Sequence, residues 1–419
     1  MQPYRFKKEV EALLRLKWGS GQNQITRSEA STMNRVCSIF SQLLQLFSRV
    51  EFETAVGQHR AERHARGFTC WGQFVAMLFC QLGRAHSLRE ICQGLAASEG
   101  KLKHLGVPTA PSRSTLAYAN QHRPWQLYQT VFLELLDRCQ ELAHSGRRKF
   151  RFKNKLLSLD ATVIDLCASL YDWAKFRRTK GAIKLHLLLD HDGYLPRFAV
   201  ITEGKTHELK VARKLRWEPG TIVVFDRGYI DYEWFVELTR QGVYWVTRLK
   251  QNADYLVVER RPVPAGGKVL ADEVISFYGL PGQGREYFFR RVEIYDTEQQ
   301  RRLVFLSNHL QFGPTTLAAI YKERWKVELF FKALKQLCKI KTFVGTSANA
   351  VKTQVWTALI AMLLLRFLQL RARFGWALSN LLALLRQQLF VHRDLWTWLD
   401  DPFQPPPLPP EEQLELALL

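Results

Sequence analysis

Apolar and polar positions change period twice along the chain. From Ser38 to about Leu142 the apolar residues recur at helical spacing, as in Phe40, Leu43, Leu44, Phe47 and again Trp71, Phe74, Val75, Leu78, Phe79, Leu82, which predicts a helical bundle. Inside it, Pro111-Ser112-Arg113-Ser114-Thr115-Leu116 reads as a capped helix start. With Arg113, Gln121, His122 and Arg123 on the same segment, it suits either a DNA-reading helix or an ordinary surface helix. Beyond residue 150 the period shortens. Residues 156–166 and 182–190 read as strands, His191-Asp192-Gly193 as a hairpin turn and 194–202 as the returning strand. A helix over about 205–215 and the wholly apolar Ile222-Val223-Val224-Phe225 follow, giving a β-β-β-α-β order that predicts a mixed sheet with helices on its faces. Residues 243–309 carry short β-like runs, Val243-Tyr244-Trp245-Val246 and Tyr287-Phe288-Phe289 among them, broken by Pro and Gly; they read as a β-rich insertion. Helical spacing resumes from Pro314 through Leu337, over 355–370 and over 376–389, and six prolines between 402 and 410 predict an extended tail.

Charge narrows what such a chain can bind. Its 419 residues, 47% hydrophobic, suffice for several domains, and 60 Lys and Arg against 39 Asp and Glu leave a formal charge of +21. That excess favours a polyanionic partner, nucleic acid first. It is unevenly spread: residues 1–150 and 301–350 are basic, while 251–300 are slightly acidic. Six cations between Arg147 and Lys155 (Arg147, Arg148, Lys149, Arg151, Lys153, Lys155) form a linker that either lies along phosphates or is simply solvated.

Several chemistries lose their usual handles. Seven scattered cysteines without a CxxC pair argue against a disulfide framework or structural zinc, and neither a GxxxxGK[ST] loop nor HExxH occurs, so no nucleotide cofactor is expected. The longest apolar run, Val355 to Leu365, ends at Arg366 and is short for a bilayer; it reads as a buried core helix, and with no apolar signal segment at the start the expected location is intracellular.

Three acids are placed where acids are costly or useful. Asp160 lies inside the strand-like run Leu156–Ile164, where an unpaired carboxylate is expensive to desolvate. Asp226 ends an apolar strand and precedes Arg227-Gly228-Tyr229, the kind of strand terminus at which open α/β sheets bind ligands. Glu328 shares one helix face with Tyr321, Arg324, Lys332, Lys335 and Lys339, a face suited to a phosphate beside a metal or, alternatively, to a solvent-facing stripe of i,i+4 pairs. Converging carboxylates bind Mg2+, and two such ions activate a hydroxyl and stabilise the leaving oxygen of a phosphodiester.

These residues resemble the DDE transposases of the IS4 group. Tyr321-x2-Arg324-x3-Glu328-x6-Lys335 matches that group's Y-R-E-K signature at every spacing, Asp226-Arg-Gly-Tyr229 matches its D-x-G-[YF] motif, and Leu157-Ser-Leu-Asp160-Ala-Thr162 matches its first-aspartate strand. Weaker echoes are Lys184-Leu-His186 and Gly204-Lys-Thr-His207-Glu208, where relatives often have His-Asp. The resemblance implies an α/β fold: an RNase H-like mixed sheet with helices on both faces, interrupted by a β-rich insertion, plus an N-terminal all-helical domain. The implied organisation is an N-terminal extension (1–32), a helical DNA-binding domain (33–146), a catalytic domain in two parts (147–230 and 311–375) around the insertion (231–310), and a C-terminal helical segment with a Pro-rich tail (376–419).

For function the resemblance implies an insertion-sequence transposase that binds terminal inverted repeats, cleaves by two-metal hydrolysis and transfers a 3′-hydroxyl end into target DNA. Asp160, Asp226 and Glu328 would bind Mg2+, with Mn2+ as a substitute; Tyr321, Arg324 and Lys335 would engage phosphates, and Trp245 or Trp325 would take a flipped base unless they are core aromatics. The implied partners are double-stranded DNA, both transposon ends and target, and a second copy of the chain; no membrane is implied, and the implied location is the bacterial cytoplasm at the nucleoid. The alternatives are a catalytically idle, transposase-derived DNA-binding protein and an RNase H-like nuclease without strand transfer.

Overall fold

The computed structural model describes residues 37–404 other than 64, 99, 144–148, 168, 178–179, 264–266, 279–286 and 338–342. The expected extension over 1–32, Arg147 and Arg148 of the basic run, Lys339 of the cationic face and the prolines from 405 onward lie outside the described residues.

Six helices come first: α1 (Ile39–Leu44), α2 (Arg49–Gln58), α3 (Cys70–Leu82), α4 (Leu88–Ala96), α5 (Arg113–His122) and α6 (Gln126–Ala143). The first five each start at a Ser or Thr whose hydroxyl accepts an amide of the first turn: Ser38, Ser48, Thr69, Ser87 and Ser112. Every residue of α3 is buried, Gln73 and Gln81 among otherwise apolar or small side chains, so it forms the axis of the bundle.

Ten strands follow, namely β1 (Leu156–Cys167), β2 (Lys175–Arg177), β3 (Lys180–Asp190), β4 (Leu195–Glu203), β5 (Ile222–Val224), β6 (Tyr244–Arg248), β7 (Tyr255–Arg260), β8 (Val269–Phe277), β9 (Phe289–Asp296) and β10 (Arg301–Ser307). They form one sheet ordered β2-β3-β1-β5-β6-β10-β9-β8-β7, with β4 also paired to β3. β4, β3 and β1 run antiparallel, then β5 and β6 add parallel strands, which is the RNase H-like arrangement. Short α7 (Glu208–Ala212) leads into β5, and α8 (Tyr232–Arg240) makes the crossover from β5 to β6. β7 to β10 form an antiparallel meander joined to the core through β10 and β6.

The remaining helices are α9 (Pro314–Glu323), α10 (Trp325–Leu337), α11 (Ala348–Arg371), α12 (Leu378–Gln388) and α13 (Leu395–Asp400). α11 is 24 residues long, enough by length and composition to cross a membrane, yet most of it is buried inside this fold. Its Leu359, Leu363 and Phe367 belong to one apolar cluster with Phe74 and Leu78 of the bundle and with Ile164, Leu185 and Leu187 of the sheet. The bundle and one part of the sheet therefore share a core, while two further apolar clusters lie on the sheet itself.

Three sequence expectations are corrected in detail. The helix expected over 205–215 is confined to 208–212. Residues 243–246, read as part of an insertion, enter the parallel core instead, because Ile222, Val223 and Val224 pair with Tyr244, Trp245 and Val246. The one helix face expected to carry Tyr321, Arg324, Glu328 and Lys335 is broken at Arg324, whose amide bonds back to Tyr321 rather than four residues earlier.

One buried ion pair ties the meander to the core. Arg290 on β9 donates from Nε to Asp272 Oδ1 at 2.8 Å and from Nη2 to Oδ2 at 2.6 Å, with about 5% of either side chain exposed. Its Nη1 donates to the carbonyls of Leu310 and Phe312, in the segment that leads into α9.

Candidate active site

Strand register places the first two acids. β1 and β5 pair in parallel as Leu156 with Ile222, Leu157 with Val223 and Ser158 with Val224. Carried on by two residues, that register sets Asp226 level with Asp160 on neighbouring strands, which lie roughly 5 Å apart. Asp226 caps the turn Arg227–Tyr229, its Oδ1 accepting the Gly228 amide at 2.8 Å, and its carbonyl accepts the Thr247 hydroxyl at 3.3 Å. Asp160 Oδ1 accepts the amide of Ala161 at 2.8 Å.

Glu328 comes from the other side. α10 packs on β1, held there by Lys335, whose ammonium donates to Thr162 Oγ1 at 2.6 Å and to the Val163 carbonyl at 2.9 Å. Asp160, Ala161, Thr162, Glu328, Lys332 and Lys335 line an open cleft of about 610 Å³ between the strand and the helix. Arg324 bridges it: Nη2 meets Glu328 Oε1 at 2.5 Å and Nη1 lies 3.5 Å from Asp160 Oδ2. Tyr321 packs on Phe305, and the Arg324 guanidinium lies 5.6 Å from its ring centre.

The electrostatics are those of a crowded anionic site. Burial pushes the Asp160 carboxyl up to about 7, the charges of Asp226 and Glu328 add to the rise, and the Ala161 amide and Arg324 oppose it. Burial alone would lower the proton affinity of Arg324, but Tyr321, Glu328 and Asp160 outweigh it and hold that affinity above its ordinary value. The reverse holds for Arg248, at the end of β6: burial and the nearby Arg227, Arg301 and Arg324 lower its affinity, and its buried Nε has no hydrogen-bond partner.

A pH dependence follows. Asp160 ordinarily titrates near 3.8, so between about 4 and 7 the folded protein holds a proton that the unfolded chain has released. The native state then binds more protons, and its stability falls as pH rises through that window. Without divalent ions, the thermal midpoint of the wild-type protein is expected to drop between about pH 4 and 7 more than that of Asp160→Asn. Equal slopes in differential scanning calorimetry would contradict this origin.

Not every expected residue joins the cleft. Trp245 is fully buried, stacked on Phe235 at 4.1 Å with Phe225 and Phe289 around it, so it offers no face to a base. Its strand is buried on both sides, and that is the correction to its expected role. Trp325, 56% exposed at the start of α10, keeps its ring available. Lys335 is committed to β1 as described, rather than reaching outward as a phosphate contact. The weaker echoes gather beside the site: Lys184 donates to Glu208 at 2.7 Å and to the Thr206 carbonyl at 2.8 Å, while His186 shares a hydrogen bond with Thr202 at 2.9 Å. Burial opposes ionisation of Glu208, and the Lys184 ammonium outweighs it.

Arg227 and Arg248 were not assigned from sequence, although one lies just past and the other at the C-terminal end of a parallel strand, where the strand-end rule applied to Asp226 would have found them. Among the described residues no three His, Cys, Asp or Glu side chains stand close enough together to hold a metal ion. The Arg324 guanidinium instead sits between Asp160 and Glu328. The donor chemistry nevertheless fits a hard divalent cation: carboxylate oxygens whose mutual repulsion already raises the proton affinity of one member.

An RNase H-like sheet with one acid inside β1, a second just past the end of neighbouring β5 and arginines around them defines an enzyme of nucleic-acid phosphodiesters. The comparisons agree. Residues 151–364 match the Transposase DDE domain, and residues 36–108 match a domain of unknown function (DUF4372). The chain belongs to the DDE-domain transposase family. It is similar to a putative transposase, y4zB, of Sinorhizobium fredii, 29% identical over 311 residues that make up 73% of this chain and 85% of that one. It is similar also to a probable transposase for insertion sequence element IS5377 of Geobacillus stearothermophilus, 26% identical over 61% of this chain and 67% of the relative. A third, a putative transposase for insertion sequence element IS4SA of Synechocystis, is 24% identical over 62% and 73% of the two chains. The protein is thus a transposase that acts on DNA, and its domain family is one that uses divalent metal ions.

Proposed function

We propose that this transposase binds the terminal inverted repeats of its element, cleaves at the ends and joins the freed 3′-hydroxyl to target DNA, with Asp160, Asp226 and Glu328 as its catalytic acids. The observation that supports this most is the β1–β5 register that levels Asp160 with Asp226 while Glu328 faces Asp160 across the cleft. Mg2+, held by these three carboxylates and replaceable by Mn2+, would supply Lewis acidity and a lowered pKa for the attacking water or hydroxyl. Arg324 exchanges carboxylates for a DNA phosphate, Arg248 and Arg227 add positive charge at the β5 and β6 ends, and Tyr321 packs against Arg324 to limit its swing. Lys335 holds α10 against β1 and thereby holds Glu328 in range. The helical region (33–146) would contact the ends, and two ends would be held by a dimer on DNA at the nucleoid.

The test is cleavage of linear DNA carrying the repeats that flank the gene. Mg2+-dependent nicks at the repeat boundary, followed by joining of a pre-cleaved end to a plasmid, are the expected result; nicking without joining would favour a nuclease, and neither would favour an idle DNA-binding descendant. Trp325 gives a separate check. Trp325→Ala is expected to weaken binding to an end with unpaired bases by roughly tenfold, as loss of one base stack does, while leaving the thermal midpoint in place. Fluorescence anisotropy with unchanged affinity would remove Trp325 from the DNA interface.

A further inference from the structure

A second cluster of polar side chains lies beneath the cleft and none of it reaches the reacting atoms. Glu323, the last residue of α9, is 3% exposed. Its carboxylate is paired with Lys149, accepts the Tyr194 hydroxyl at 3.3 Å and has His191 Nδ1 at 3.8 Å. The other His191 nitrogen, Nε2, is 2.7 Å from the hydroxyl of Ser158, itself fully buried on β1. Burial holds the His191 imidazole down at about 4, so it is neutral: Nε2 shares the hydrogen bond with the hydroxyl, while Nδ1 has no hydrogen-bond partner and only packs against the carboxylate. Tyr194 adopts a left-handed backbone, φ +54, a conformation that bulky residues rarely take. Its bond to Glu323 and the Lys326 ammonium 5.3 Å from its ring centre hold it there.

One end of this cluster sits beside Asp160 and the other beside Arg324, the residue that contacts Asp160 and Glu328. Ser158 is two residues before Asp160 on one strand, hence on the same face. Glu323 immediately precedes Arg324, where the helix breaks without a proline or glycine to cause it. Glu323 turns toward the β3–β4 hairpin and Arg324 toward Asp160 and Glu328, and these opposed attachments of adjacent residues account for the break. Where α9 ends sets the direction of α10 and so the position of Glu328.

We propose that Ser158, His191 and Glu323 form a buried positioning relay that fixes the separation between the strand carrying Asp160 and the helix carrying Glu328. The proposal rests on the reading of those acids as metal-binding. None of the three relay residues is a catalytic residue; they act through the backbone of β1 and the break at Arg324.

The experiment is a Mn2+ titration of the full chain followed by electron paramagnetic resonance, on wild type, Glu323→Gln, Glu323→Ala, Ser158→Ala and Ser158→Ala/Glu323→Ala, with near-UV circular dichroism as the check on fold. End-DNA affinity and single-turnover cleavage rate are measured alongside. Glu323→Ala is expected to weaken Mn2+ binding at least about tenfold, as loss of an orienting outer contact does, and to slow cleavage with end-DNA affinity unchanged. Glu323→Gln should lose less, since its amide oxygen still accepts the Tyr194 hydroxyl and its bulk still packs against His191, and the double variant should be no worse than Glu323→Ala, because both substitutions cut one path. Wild-type Mn2+ affinity in Glu323→Ala, additive losses in the double variant, or losses that only follow a collapse of the near-UV signal would each overturn the relay. If wild type itself binds no Mn2+, the metal-binding reading of the acids falls and the relay with it; if wild type binds and Glu323→Ala binds equally well, the relay alone falls.

Discussion

Asp226→Asn should slow end cleavage about a thousandfold, roughly 4 kcal/mol of transition-state stabilisation, while leaving the fold and DNA binding intact. The side chain is nearly isosteric, and its Oδ1 contact with the Gly228 amide survives, so the turn Arg227–Tyr229 keeps its cap. What disappears is one negative charge level with Asp160. That loss also removes part of the repulsion that raises the Asp160 carboxyl, so its proton affinity should fall toward the ordinary range. Single-turnover assays on pre-bound ends, with gel-shift affinity measured in parallel, make the comparison. Cleavage within about tenfold of wild type would remove Asp226 from the catalytic set and leave the site without its register argument.

The largest effect on stability is expected far from the chemistry. Asp272→Ala strips the counter-charge from Arg290, which stays buried with two carbonyl contacts and an uncompensated positive charge; the cost should be about 3–5 kcal/mol. Urea denaturation would show the midpoint falling with little change in slope. Because Arg290 also reaches the carbonyls of Leu310 and Phe312, the damage should spread to the entry into α9 and lower activity. Asp272→Leu with Arg290→Met, which removes both charges and keeps apolar bulk, should recover most of the loss, since replacing a buried pair by packed apolar groups is often neutral. A double variant as unstable as the single would place the energy in the carbonyl contacts instead.

How much of this was legible in the sequence depends on how local each feature is. Asp160 and Asp226 could be placed because each interrupts or ends a short apolar run, and a strand's period of two carries an acid to a definite position. One helix start was read from its hydroxyl cap, at Ser112, and the structure adds the same mark at Ser38, Ser48, Thr69 and Ser87. Trp245 was ambiguous because Val243-Tyr244-Trp245-Val246 is apolar throughout, and a run without alternation does not say which side faces solvent. The break at Arg324 left no local mark, since helix formers continue across it and its cause is the pull of residues more than 100 positions away. The Ser158–His191–Glu323 cluster was invisible for the same reason: each member is ordinary in its own neighbourhood, and only the hairpin turn brings them together.

The shared core around α11 has a consequence for how the protein comes into being. The ribosome releases residues 348–371 only after the helices and strands that this segment glues together have already emerged. Until then both halves expose the apolar faces that it will cover, and neither is a finished unit. Prematurely terminated chains would lack the keystone and leave those apolar faces uncovered.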